Sequence, residues 1–304
     1  MTSAAHINGA YGHHLFEQVI PSDNCVISGL RPYFESAHMD AREIFHASAR
    51  IDLHPDADDP GVHAQYPNCL PSKAKRGLFG EVMAGLMIEA YQVVGAHHWR
   101  IPIFLFRYHA EVEAYIFDLA RDPARTREVS GRHGNDFIAL GIDPNSGAVV
   151  RFLAGEAKWR AALTPSTMDE LMLGPYAEPT NARIRDGHGV WNEMNTGLAT
   201  PQGLEQISRL LKEKARDQYA EAIVSLDRVL LIDATALPRT DYVFVSGNRA
   251  RRRTRGTAYL PVNAPPPDYT AGRDLQVIEL VLENGEELIE ALYSSLWGDN
   301  NGAP

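Results

Sequence analysis

Apolar positions change period along this chain, and each change marks an element. Over residues 77–95 (GLFGEVMAGLMIEAYQVVG) they recur at helical spacing. Leu78, Val82 and Leu86 form one row, and Phe79, Met83, Met87 and Ala90 a second. A helix apolar on that much of its circumference is expected to be largely buried. Residues 100–108 (RIPIFLFRY) read as a central strand with Pro102 near its start. Residues 136–143 and 148–158 are apolar and β-branched runs flanking Pro144-Asn145-Ser146-Gly147, which predicts a hairpin. Thr164-Pro165 and Thr200-Pro201 each place a capping hydroxyl before a first-turn proline. They open expected helices over 166–173 and 202–219, the second striped by Leu204, Ile207, Leu210, Leu211 and Ala215. Residues 227–233 (DRVLLID), 242–246 and 275–282 read as strands, and 286–297 as an amphipathic helix through Leu288, Ile289, Leu292 and Leu296. The N-terminal pattern is weak: 26–27 and 49–53 suggest short strands, and 41–47 a helical turn or two. Residues 111–119 fit strand or helix equally, while 121–134 and 174–200 are loop-like.

Composition narrows the class. The chain has 304 residues, 44% hydrophobic and 22% charged, as in a soluble globular protein with a sizeable core. No apolar run approaches the ~20 residues that span a bilayer, and residues 1–11 hold no signal-type apolar segment. No membrane association is therefore expected. Cys25 and Cys69 fit a reducing, cytoplasmic setting and are expected to be buried. His13, His14, His46, His54 and His63 match no closed zinc spacing and read as scattered surface residues. The net charge of −10 argues against strong, nonspecific binding to nucleic acid by this chain alone. A nucleic-acid enzyme with this balance needs a local basic surface or a partner that delivers the substrate. Two stretches supply basic residues: Arg132 and His133 just ahead of Asp136, and Arg249, Arg251, Arg252, Arg253 and Arg255.

The hairpin carries the chemistry. Folded about Ser146, it sets Asp136 opposite Glu156. Asp136 then shares a face with Ile138, Leu140 and Ile142, while Glu156 and Lys158 share theirs with Val150, Phe152 and Ala154. Two carboxylates and an ammonium converge on one rim of an apolar face. A one-residue slip would put the acids on opposite faces, so the register demands an odd turn or a bulge. Facing carboxylates repel unless a cation separates them, and hard oxygen donors suit Mg²⁺ or Mn²⁺. Lysine is scarce here, at five residues against 24 arginines, so Lys158 is not part of a generic surface cation supply.

Asp136, Glu156 and Lys158, with glycines at 134 and 155, resemble the PD-(D/E)xK nuclease superfamily. The resemblance implies a restriction-endonuclease-like α/β core, a mixed central sheet flanked by helices, with additions at both ends. On that basis 1–72 is an N-terminal extension packed on the core, 73–235 the nuclease core and 236–304 a C-terminal strand and helix addition. It further implies that Asp136 and Glu156 hold Mg²⁺ or Mn²⁺ with the Ala157 carbonyl, that Lys158 acts on water or phosphate, and that Glu81 adds an acid from the preceding helix. Gly80-Glu81, Gly134-Asn135-Asp136 and Gly155-Glu156-Ala157-Lys158 in this layout look most like the HamA nuclease subunits of Hachiman antiphage defence, over about residues 75–297. That family implies a DNA endonuclease working with a helicase subunit. This chain carries no Walker A sequence, so an ATP-driven step belongs to the partner.

Two readings of other classes stay open. One is a catalytically inert nuclease-fold module that binds nucleic acid or a partner. The other is a different chemistry at Asp186, His188 and Asn192, in a glycine-rich stretch that gathers such residues for turns.

Overall fold

The computed structural model describes residues 1–49, 66–68, 70–91, 94–96, 99–104, 135–176, 185–197, 200–232 and 237–298. Strands β1 (Thr2–Asn8) and β2 (Tyr11–Glu17) form a hairpin that leads into α1 (Asn24–Ala49). Helix α2 (Ser72–Ala90) precedes β3 (Trp99–Phe104), β4 (Phe137–Ile142) and β5 (Val149–Leu163). Then come α3 (Pro165–Leu173), α4 (Val190–Thr196), α5 (Thr200–Lys214) and α6 (Ala220–Ile232). Strands β6 (Arg239–Arg249) and β7 (Asp274–Leu282) and helix α7 (Gly285–Ser295) follow.

All seven strands lie in one mixed sheet, ordered β1-β2-β7-β6-β5-β4-β3. The centre is parallel: β2 with β7, β7 with β6, and β6 with β5. Strands β1, β4 and β3 add antiparallel pairs towards the edges. Central parallel strands are covered on both faces, which explains the unbroken burial from Thr240 to Ser246 in β6. On one face α1, α2 and α7 pack over Phe137, Leu153, Trp159, Tyr242 and Ile278. On the other, α3, α4 and the segment after β6 cover Val243, Val245 and Val277. Helices α5 and α6 cover Ile138, Leu140, Phe152 and Ala154 on that same side.

The expected helices at 77–95, 166–173, 202–219 and 286–297 correspond to α2, α3, α5 and α7, within a turn at most ends. Thr164 caps α3 in a capping box, and Pro165 occupies its first turn. The fold is mixed α/β, as expected. The strands of the expected C-terminal addition, β6 and β7, run through the middle of the sheet, and those of the N-terminal extension form an edge.

Several local expectations are corrected. Residues 227–232 of DRVLLID lie in α6, not in a strand, and Asp233 lies outside the described residues; a short apolar run fits either state until its partner is known. Val26 and Ile27 lie in α1. The segment 1–17, which shows no strand pattern, forms β1 and β2. His13 and His14 are buried in β2, where they meet Glu279 and Gln276 of the neighbouring β7. Cys25 is exposed, on the open first turn of α1. Cys69, residues 50–53, 105–134 and His46, His54 and His63 lie outside the described residues or have undescribed side chains. Among the described residues no helix is long and apolar enough to cross a membrane.

Candidate active site

The turn that joins β4 to β5 is built locally. Asp143 accepts hydrogen bonds from the backbone N–H groups of Asn145 (3.3 Å) and Ser146 (3.2 Å), and Gly147 turns the chain at a φ of 70°. The ladder then slips: Ile142 pairs Val149, but Gly141 pairs Arg151. Val150 is the extra residue, a bulge that leaves it 49% exposed and puts Val149 in the core face instead. The expected place of Val150 beside Phe152 is thus taken by Val149. From there the register runs to Phe137 opposite Gly155, and the Asp136 N–H donates to the Gly155 carbonyl at 2.9 Å. Asp136 and Glu156 are the next residues outward, facing each other on one side of the sheet. The bulge that the alternation demanded is present.

Gly155 has a steric role here. The Phe137 ring lies across it, with ring carbons 2.0–2.6 Å from where a Cβ would sit. The ring also meets Tyr242 edge-on at 5.7 Å between centroids. Packing an aromatic over a cross-strand glycine pins β4 to β5 immediately below the acids.

Asp136 is 8% exposed and Glu156 1%. The Ala157 N–H donates to Asp136 Oδ2 at 2.7 Å. In a strand the N–H and C=O of one residue point off the same edge, so the Ala157 carbonyl is directed to the Asp136 side as well. Lys158 Nζ donates to Glu156 Oε1 in a direct ion pair. The other oxygen of that carboxylate, Oε2, is buried and has no hydrogen-bond partner among the described residues. Burial and the neighbouring Asp136 charge push the Glu156 carboxyl well above its usual range, against the pull of Lys158. The Lys158 ammonium is held in its charged form: Glu156, Asp136 and Glu193 together outweigh the largest single influence, its own burial.

Glu193 is the residue that sequence reasoning missed. It lies in α4, whose Val190, Trp191 and Met194 pack into the cluster with Val243 and Val245. Those two valines are the β6 partners of Glu156 and Lys158. Arg273 donates to the Met194 carbonyl, and Asn195 accepts from the N–H groups of Thr270 (2.8 Å) and Ala271 (3.1 Å). Helix α4 is therefore anchored at its end, with the Glu193 carboxylate acting on both Glu156 and Lys158. The one sequence cue was an acid set among buried positions 190, 191 and 194.

The other expected site residues are placed differently. Glu81 sits on α2, whose Gly80 packs over Ala157 and Ser246, on the opposite side of β5 from the Glu156 side chain. Besides burial, its charge is one of the influences that hold the Tyr293 hydroxyl above its usual range. Arg132 and His133 lie outside the described residues. In the arginine run, Arg249 and Arg255 both bond Glu283, at 2.8 and 2.7 Å. Arg253 pairs with Glu17, both side chains buried. Arg251 and Arg252 are exposed and form no ion pair among the described residues. His188 is exposed, and its backbone N–H bonds Asp186 Oδ1 at 2.9 Å in an Asx turn; Asn192 is exposed on α4.

The donors available to a cation are the carboxylates of Asp136 and Glu156 and the Ala157 carbonyl. All are hard oxygens, and the buried Glu156 Oε2, which has no hydrogen-bond partner among the described residues, is a donor free to face a cation. The set fits Mg²⁺ or Mn²⁺ with water completing the shell. No three His, Cys, Asp or Glu side chains among the described residues form a metal-holding group, so the protein share of such a shell stays small. No protein-family model matches the chain, and no curated protein matches it significantly.

Proposed function

We propose that this chain is a metal-dependent DNA endonuclease of PD-(D/E)xK type, the nuclease subunit of an antiphage defence complex with a helicase partner. The observation that carries the chemical part is the convergence of Asp136, Glu156 and Lys158 on one face around a buried carboxylate oxygen that has no hydrogen-bond partner among the described residues. The element order supports it too: α2, then β3, β4 and β5, then helices, then β6 parallel to β5. In this reading the closing strand of the core is β6.

A divalent cation, when bound, supplies positive charge at the scissile phosphate and acidifies water. Asp136 and Glu156 would hold it, and the 2.7 Å bond from the Ala157 N–H fixes the Asp136 carboxylate in place. Lys158 donates to the attacking water or to a non-bridging phosphate oxygen, where charge builds in the transition state. Arg251 and Arg252, exposed and without an ion pair among the described residues, are the members of the arginine run able to meet phosphate. The acidic balance of the whole chain fits delivery of DNA by the helicase partner.

The Lys158–Glu156 ion pair favours a second reading, in which the ammonium closes the site and the module only binds. Plasmid nicking with Mg²⁺, with and without chelator, separates the two. Wild type cuts only without chelator and Lys158→Ala does not cut, while both bind DNA alike. Normal cutting by Lys158→Ala rejects the nuclease assignment; absence of cutting by wild type with its helicase present supports the binding module.

A further inference from the structure

The edge of β5 that carries the site runs on past Asp136. Gly155 accepts from the Asp136 N–H on this edge, and alternate residues of a strand turn their N–H and C=O the same way, so Ala157 and Trp159 face it too. Strand β4 begins at Phe137, and beyond Gly155 no described strand lies alongside. Side chains take the positions that a further strand would fill. The Ala157 N–H donates to Asp136 Oδ2 at 2.7 Å, and the Trp159 carbonyl accepts from Arg160 Nη1 at 3.0 Å. Arg160 pairs with Gly247 of β6, two residues on from Lys158, and so shares the face of Glu156 and Lys158. Its guanidinium is thereby held at the same open edge as the Asp136 carboxylate, about 7 Å further along the strand.

This arginine is committed differently from its neighbours. The other arginines of β5 and β6, Arg151, Arg239 and Arg249, pair with Asp274, Asp241 and Glu283. Arg160 is half-buried and forms no ion pair among the described residues; Glu170 of α3 acts on its charge from further off. Its remaining N–H donors bond no described residue and none is a buried orphan, so they open to solvent. We infer that Arg160 is a substrate-binding residue that grips the phosphate next to the scissile one, which makes the substrate a polynucleotide rather than an isolated phosphodiester. A backbone laid along the open edge meets the Asp136 and Glu156 carboxylates first and Arg160 next. The guanidinium fork matches two phosphate oxygens, and its tether to the Trp159 carbonyl reduces the freedom lost on binding. This inference rests on the reading of Asp136, Glu156 and Lys158 as a nuclease site.

The test is fluorescence anisotropy of a labelled DNA duplex at low salt with the full chain, in the Lys158→Ala background, with Mn²⁺ and with chelator. Arg160→Gln is expected to weaken binding about tenfold and to lower the salt slope by about 0.9, the share of one phosphate contact, alike in both conditions. Arg160→Lys, which keeps the charge, should restore the slope and most of the affinity. Unchanged affinity and slope in Arg160→Gln overturn the inference. So does a loss seen only with Mn²⁺, since Arg160 would then act on the phosphate at the cation. A loss that Arg160→Lys shares in full overturns it too, because the residue would then act through the shape of the edge and not its charge. If the Lys158→Ala parent binds no DNA in either condition, it is the nuclease reading itself that fails.

Discussion

Replacing Gly155 by alanine tests whether the β4–β5 contact holds the two acids together. The new methyl would lie 2.0 Å from Phe137 Cζ, with two further ring carbons at 2.3 and 2.6 Å. To reach an ordinary contact of about 3.4 Å the ring must retreat by about 1.4 Å. It has nowhere to go: Phe137 is 0% exposed and braced edge-on by Tyr242, also 0% exposed. Overpacking of this kind costs about 2–3 kcal/mol. With a urea m-value of about 3 kcal/mol/M, the unfolding midpoint should fall by about 0.7–1 M. Phe137 adjoins Asp136 and Gly155 adjoins Glu156, so the same displacement spreads the acids and weakens Mn²⁺ binding. In a Phe137→Ala background, itself costing about 3–5 kcal/mol, the added methyl enters vacated space and should cost less than about 1 kcal/mol. A Gly155→Ala variant with an unchanged midpoint and unchanged Mn²⁺ affinity would refute the argument.

Three further outcomes follow from the same geometry. Burial and Asp136 raise the folded-state carboxyl of Glu156 above its ordinary 4.5, so the metal-free protein loses stability as pH rises from about that value through the raised one. Glu156→Gln should abolish that decline, and Mn²⁺ affinity in wild type should climb over the same window as the proton is displaced; denaturant melts and calorimetry across pH check both. Arg253→Ala removes one partner of a buried pair (side chains 5% and 6% exposed) and should cost about 3–5 kcal/mol. Arg251→Glu with Arg252→Glu should leave the melting curve unchanged but reduce DNA affinity and its salt slope in the Lys158→Ala background, read by fluorescence anisotropy.

What was legible in the sequence was local. The hairpin could be read because Pro144 to Gly147 is turn chemistry and the flanking runs alternate. Alternation also required an irregularity in register, supplied by the bulge at Val150. Helices α2, α3, α5 and α7 followed from apolar spacing and capping residues within their own segments. The failures have a common cause. Strand β1 is exposed along its whole length, and β2 buries His13, His14 and Glu17, so neither shows the pattern of a half-buried strand. Those polar side chains are satisfied from far along the chain: His13 by Glu279, Glu17 by Arg253 and Gly256. Likewise nothing around residues 227–232 reveals that their helix packs with α5 across Ile138 and Phe152 rather than joining the sheet.

By itself the sequence determined which residues carry charge at the hairpin's end, and that a two-residue period with one bulge would bring Asp136, Glu156 and Lys158 to one face. Only the tertiary structure decided that the Glu193 charge acts on Glu156 and Lys158, that Glu81 sits on a helix packed against the other side of β5, and that the arginine run is mostly spent on Glu17 and Glu283. The reason is physical: side-chain direction along a strand is dictated by neighbouring backbone, whereas the meeting of separate segments depends on which apolar faces bury each other.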